Sequence, residues 1–242
     1  MRVLLTLQYL GTAYAGWQKQ TNAIGVQQVV EDALTKMFGA TIRIEGASRT
    51  DAGVHAAGQR AHADVPFEIA PRGMARGLND LLPPDIRVLV AETVAGDFHC
   101  RFDATGKSYV YRIWNSDVED VFGAHTQLHV AQPLDVATMN EAIQVIIGEH
   151  DFAAFTVASP EVSSTIRTVE EATVEREGQA IRIFISANGF LRFMVRRMAG
   201  SLIEAGRGKL GTDALVRSMG PSPEAARWTA PPKGLTLLDV RY

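Results

Sequence analysis

Little in this sequence points to secretion or to a membrane. One cysteine, Cys100, stands among 242 residues, so no internal disulfide can form and a reducing cytoplasm suits the chain. No apolar run approaches the roughly 20 residues that span a bilayer. MRVLLTLQYL has one early charge, a short apolar run and no small-residue cleavage site. Positive charge is also in short supply: 24 Lys and Arg against 27 Asp and Glu leave a net charge of -3, whereas a nucleic-acid-binding domain is usually basic. The average hides an exception, because five basic residues and one acid lie between Phe190 and Lys209, a local patch able to attract phosphate.

Signatures of metals and nucleotide cofactors are missing as well. His125 and His129 have HxxxH spacing in HTQLH. No glutamate follows the first, and the extended character of QLHVAQPL would separate the rings, so no metal site is expected. GRGKLG fits GxGxxG but follows a helix rather than a strand. Gly106-Lys107-Ser108 ends like a P-loop, yet Arg101 stands where its first glycine belongs.

What is present is a repeated order of elements. Arg2 to Leu10 alternates as a strand, with Val3, Leu5 and Leu7 on one face. VQQVVEDALTKMF spaces its apolar residues as a one-faced helix. TIRIEGAS and QRAHADV read as paired strands, APRGMARGLNDLL as a helix weakened by two glycines, and DIRVLVAETV as a strand. The order then recurs: KSYVYRIWN, the helix DVATMNEAIQVII, the hairpin TVEEATVER and QAIRIFISA turning at Glu177-Gly178, the helix FLRFMVRRMAGSLIEAG, and the strand GLTLLDVRY. The expected fold class is α+β: two tandem ferredoxin-like (βαββαβ) domains with antiparallel sheets, helices on one face, and a catalytic cleft between the domains. The boundary is expected near Asp97 to Ala104, giving domains 1–100 and 101–242.

Three stretches carry candidate chemistry. In ASRTDAGVHAAGQ, Asp51 follows Arg49 and Thr50 and precedes a glycine and His55. An arginine close to a carboxylate keeps it ionised, and an ionised carboxylate in a cleft serves as nucleophile or base. The same residues also suit a capped surface turn with Arg49 paired to Asp51. Tyr109 and Tyr111 alternate along their strand, either as a packed aromatic pair or as a ring for base stacking or proton transfer. Arg192 and Arg196 border the apolar stripe of the last helix, where an arginine either snorkels to water or reaches a carboxylate or phosphate.

Taken in order, YLGTAYAGWQKQ, VQQVVEDAL, RTDAGVHAAGQ, FHCRFDATGKSYVYRI, HDFAAF, FLRFMVRRMAGSLIEAGRGK and PPKGLTL closely resemble the TruA-type tRNA pseudouridine synthases, from Tyr9 to Leu237. Leu10 and Ser48 depart from that pattern, where aspartate and glycine are common. The resemblance implies isomerisation of uridine to pseudouridine at positions 38 to 40 of the tRNA anticodon stem-loop, without metal or cofactor. It implies a homodimer. It matches Asp51 to the nucleophile, Tyr109 to the tyrosine that stacks on the target base, Arg49 to an arginine that displaces the base, and Arg196 to the partner of the catalytic carboxylate. Thr50 and His55 flank this set as candidate substrate-binding residues. Two rivals are a catalytically silent tRNA-binding module and a nucleoside- or glycoside-cleaving enzyme using Asp51.

Overall fold

The computed structural model describes residues 1–157, 162–217, 219 and 228–242. The chain divides into two compact units, Met1–Thr105 together with Leu237–Tyr242, and Gly106–Thr236. Together they form a mixed α+β protein in which strand pairing is mostly antiparallel.

The first unit runs β1 (Arg2–Tyr9), α1 (Val26–Phe38), β2 (Ile44–Gly46), β3 (His55–Asp64), α2 (Pro71–Leu81) and β4 (Ile86–Val94). Its strands lie in the order β4, β1, β3, with β2 as a short antiparallel partner of β3. β1 pairs antiparallel with both neighbours. That central place explains why Leu4 and Thr6 are buried as well as Val3, Leu5 and Leu7; the alternation is visible in the residue types but not in the burial. α1 forms over the length its apolar spacing predicts, burying Val26, Val30, Ala33, Leu34 and Phe38 and ending at Gly39 in the left-handed conformation. α2 forms despite its glycines. Pro71 fits its first turn, Met74 and Leu78 are buried, and the Asn79 side chain bonds both the amide and the carbonyl of Val88 on β4.

The second unit contains β5 (Gly106–Asn115), β6 (Leu128–Val130), α3 (Val136–Gln144), β7 (Gly148–Asp151), β8 (Ile166–Glu177), β9 (Ala180–Ala187) and α4 (Met194–Gly206), with one further helical turn at Ala214–Arg217. Its strands are ordered β5, β9, β8, β7. β6 pairs parallel with β5, a departure from an all-antiparallel expectation. Asp135 caps α3 through the amides of Ala137 and Thr138. Gly178 takes the positive φ, 58°, that the two-residue turn between β8 and β9 needs.

β10 (Leu235–Arg241) is where structure and sequence order diverge. The repeat predicts that it completes the second domain, yet residues 237–242 group with the first unit, beside β3. Gly58 on β3 permits this, since a Cβ there would collide with the Leu238 carbonyl. The Thr105 amide donates to Arg241 O (2.9 Å), and the Tyr242 hydroxyl donates to Cys100 O (2.9 Å) while its ring packs on Phe98. No helix among the described residues is long and apolar enough to cross a membrane.

Candidate active site

The segment from 47 to 54 joins β2 to β3 and carries Arg49, Thr50 and Asp51. It is held at nearly every step. The Ala47 amide donates to Arg60 O (2.7 Å), extending the β2–β3 pairing past the end of β2. Gln59, fully buried on β3, accepts from the Ser48 amide (3.1 Å) and donates to the Ser48 carbonyl (2.6 Å). Thr50 Oγ1 lies 2.8 Å from the Tyr9 hydroxyl of β1. The Val54 amide donates back to Asp51 O (3.1 Å), and Gly53 sits at φ 77°, so the chain turns sharply just past the carboxylate.

Residues 11–25 brace this turn. The Trp17 amide donates to Thr50 O (3.0 Å) and the Gly53 amide to Tyr14 O (3.2 Å). The approach is close enough to require glycine: Gly16 lies at φ 92°, and a Cβ there would stand 2.5 Å from Thr50 O. The stretch is itself stitched down, Ala15 N to Ile24 O, Val26 N to Gly16 O and Gln27 N to Trp17 O, which also satisfies amides at the start of α1. Trp17, 1% exposed, packs beside Tyr9 and over Gly46. Tyr14 donates its hydroxyl to Asp85 (2.8 Å); burial first, and that carboxylate second, push the phenol well above its ordinary pKa. Both aromatics of this stretch are therefore committed to the protein.

Asp51 is half-buried at the start of the turn and Arg49 is exposed nearby. Thr50 and His55, expected to touch substrate, are 7% and 2% exposed. Thr50 faces Tyr9, and Nδ1 of His55 accepts from the Gly11 amide (2.9 Å), which places the ring proton on Nε2. Their polar atoms hold the loop.

Sequence reasoning does not single out Tyr9, Gln59 or Glu31. Glu31, 3% exposed on α1, collects Lys19, Gln27, Arg43 and the Ile44 amide within 3.4 Å and so ties the bracing loop to α1 and β2. The available signal is an acid in an amphipathic helix, and that looks the same on a solvated face.

Tyr109 and Arg196 belong to the second unit. Tyr109 sits on β5 opposite Ile185 of β9, 6% exposed, with Phe190 edge-on at 4.9 Å. Tyr111, two residues on, is fully buried and donates its hydroxyl to Pro231 O (2.8 Å), under Gly234, where a Cβ would collide with the ring. Burial pushes its phenol pKa up. Arg196 lies in the first turn of α4. Its Nε donates to Ala230 O (2.9 Å), and the Ala230 amide donates to Arg196 O (2.9 Å). The residue just before α4, Phe193, has φ 66°, alone among the described non-glycine residues, a conformation that costs a bulky side chain about 1–3 kcal/mol. The Arg192 and Arg196 guanidiniums stand 4.7 and 5.4 Å from its ring centre. Arg197 turns elsewhere, donating to Ala154 O and Thr156 O.

Two motifs resolve into structural roles. In GRGKLG, the left-handed residue is Gly208 at φ 72°, and Arg207 and Lys209 both pair with the buried Glu204. His129 on β6 lies 2.7 Å from Ser116 O. Among the described residues, His62, His99 and Cys100 bring three possible ligand atoms within 4.8 Å of one another. Nδ1 of His62 accepts from the Cys100 amide, Nδ1 of His99 from the Arg101 and Phe102 amides, Nε2 of His99 meets Glu45, and the Cys100 thiol donates to Glu45 O. Protein hydrogen bonds thus reach all three side chains.

A family model described as tRNA pseudouridine synthase matches residues 6–103 and 142–242, and the chain belongs to that family. The match takes in Arg49, Thr50, Asp51, His55 and Arg196, while Tyr109 falls between its two segments. Among curated relatives, tRNA pseudouridine synthase A of Geobacter sulfurreducens is 41% identical over 241 residues, covering 99% of each chain. The protein of the same name from Rhodospirillum rubrum is 40% identical, covering all of this chain and 88% of its own. That from Exiguobacterium sibiricum is 38% identical, covering all of this chain and 96% of its own. These relatives span Tyr109.

Proposed function

We propose that the protein isomerises uridine to pseudouridine in tRNA, at positions 38 to 40 of the anticodon stem-loop, with Asp51 as the nucleophile. The N1–C1′ bond breaks, the uracil turns, and a C5–C1′ bond forms; a proton leaves C5 and one is gained at N1, so the reaction balances without a cofactor. The observation that carries this reading is near-full-length similarity to tRNA pseudouridine synthases, with Asp51 on a turn held through Gln59 and Tyr9.

Each candidate residue then has a task. Extruding a stem uridine costs about a few kcal/mol, and stacking on Tyr109 returns about 1–3 kcal/mol. Arg49, exposed beside the nucleophile, helps displace the base. Arg196 is the proposed partner of the catalytic carboxylate. Thr50 and His55 act through the loop, since their polar atoms face Tyr9 and Gly11. The fold reading is two ferredoxin-like domains, the first with the nucleophile and the second with Tyr109 and Arg196, with residues 237–242 taken into the first. The protein works as a cytoplasmic homodimer, in which two modest basic patches on one tRNA compensate for a net charge of -3.

The test is incubation with unmodified tRNA, with pseudouridine mapped by mass spectrometry and carbodiimide primer extension. Wild-type protein yields product at positions 38 to 40; Asp51→Asn and Asp51→Ala yield none while still binding tRNA. Release of free uracil would favour a nucleoside-cleaving enzyme, and activity in Asp51→Asn would remove the nucleophile from Asp51.

A further inference from the structure

We propose that Phe193 is a positioning residue, whose ring, held in a left-handed backbone conformation against two guanidiniums, sets the direction of Arg196 for the isomerisation. The inference rests on the role of Arg196 in the proposed function.

Helix starts favour Ser, Thr, Asp or Asn with an extended backbone and a side-chain cap. α4 has none of these. Its N-cap is an aromatic residue at φ 66°, ψ -4°, with no side-chain cap bond. Glycine takes that conformation without strain and asparagine with little. A bulky residue persists there when its surroundings over-determine it, and such outliers gather at functional sites. Here the surroundings are specific. The ring lies 5.4 Å from the Arg196 guanidinium and 4.7 Å from that of Arg192. A cation prefers the face of an aromatic ring to an aliphatic neighbour. Arg196 is restrained a second time, from Nε to the carbonyl of Ala230, whose amide donates back to Arg196 O. One restraint holds the guanidinium at Nε and the other at its ring-facing side. An extended backbone at 193 would carry the ring away and remove the restraint it supplies. Catalysis is sensitive to such orientation, because a misplaced charged group loses effect within about 1 Å.

The test compares Phe193→Gly, Phe193→Leu, Phe193→Tyr and Arg196→Ala, with kcat and KM for pseudouridine formation on tRNA and Tm measured for each. Phe193→Gly removes both the ring and the strain: Tm is expected to hold or rise while kcat falls about tenfold and KM stays within about twofold. Phe193→Leu, which keeps bulk without the π face, shows the same fall in kcat. Phe193→Tyr restores it. Wild-type kcat in Phe193→Leu, or in a folded Phe193→Gly, overturns the proposal, as does a Phe193→Tyr no better than Phe193→Leu. Should Phe193→Gly not fold, the Leu and Tyr comparison decides. Full activity in Arg196→Ala overturns the assignment of Arg196 and this inference with it; an inactive Arg196→Ala beside an active Phe193→Gly overturns this inference alone.

Discussion

Gln59 and Ser48 hold each other twice: one side-chain amide on β3 accepts from the Ser48 amide and donates to the Ser48 carbonyl. Three residues further on stands Asp51. In Gln59→Leu both backbone groups of Ser48 lose a buried partner, an expected loss of about 2–4 kcal/mol in urea unfolding. Pseudouridine formation is expected to fall beyond what the lost stability explains, measured below the unfolding transition. Unchanged activity at reduced stability would show that the loop keeps its shape without this clamp.

Gly16 and Gly39 separate two reasons for glycine. Both have positive φ, but a Cβ at Gly16 meets the Thr50 carbonyl at 2.5 Å, whereas one at Gly39 meets nothing within 4 Å. Gly39→Ala is expected to cost about 1 kcal/mol with full activity. Gly16→Ala adds displacement of the turn to about 1–3 kcal/mol of backbone strain, and activity falls with stability. Thermal melts and initial rates on the two variants check the contrast.

Stability also carries a pH signature from His62. Burial, with His99 and Arg2 nearby, holds its imidazole below the usual histidine value. Between that lowered value and the unfolded value of about 6.5 the unfolded chain binds more protons, so stability rises with pH through this window and is lost as pH falls below about 6.5. His62→Gln is expected to flatten the slope of urea midpoint against pH over this range. An unchanged slope would place the effect on another group.

Tyr109→Phe keeps the ring and its edge contact with Phe190 but removes the phenol. tRNA binding is expected to persist while kcat falls about a hundredfold or more, the range for losing a proton-transfer group. Single-turnover kinetics separate the two, and full activity would confine Tyr109 to stacking.

Much of this is legible in the residues themselves. α1 follows from its apolar spacing because one helix face does all the packing. β6 and β7 are not legible: strands of three and four residues, one reading GEHD, offer no period to detect. α4 begins at Met194 rather than at Phe190, because a left-handed phenylalanine has no local propensity signal. At the candidate site the motif RTDAGVHA identifies the carboxylate. The clamps that hold it come from Tyr9, Gly16 and Gln59, far enough along the chain that only tertiary structure brings them into contact. The bond from the Gly11 amide to His55 is hidden in the sequence for the same reason.

The placement of residues 237–242 in the first unit bears on how the protein is made. Gly106–Thr236 is in effect an insertion within that unit. On the ribosome, the unit that carries Asp51 is synthesised early but stays one strand short until residues 237–242 are made. Its assembly therefore waits on translation of everything between, and removing residues 237–242 would strike the unit that carries Asp51 rather than the unit that precedes them in the chain.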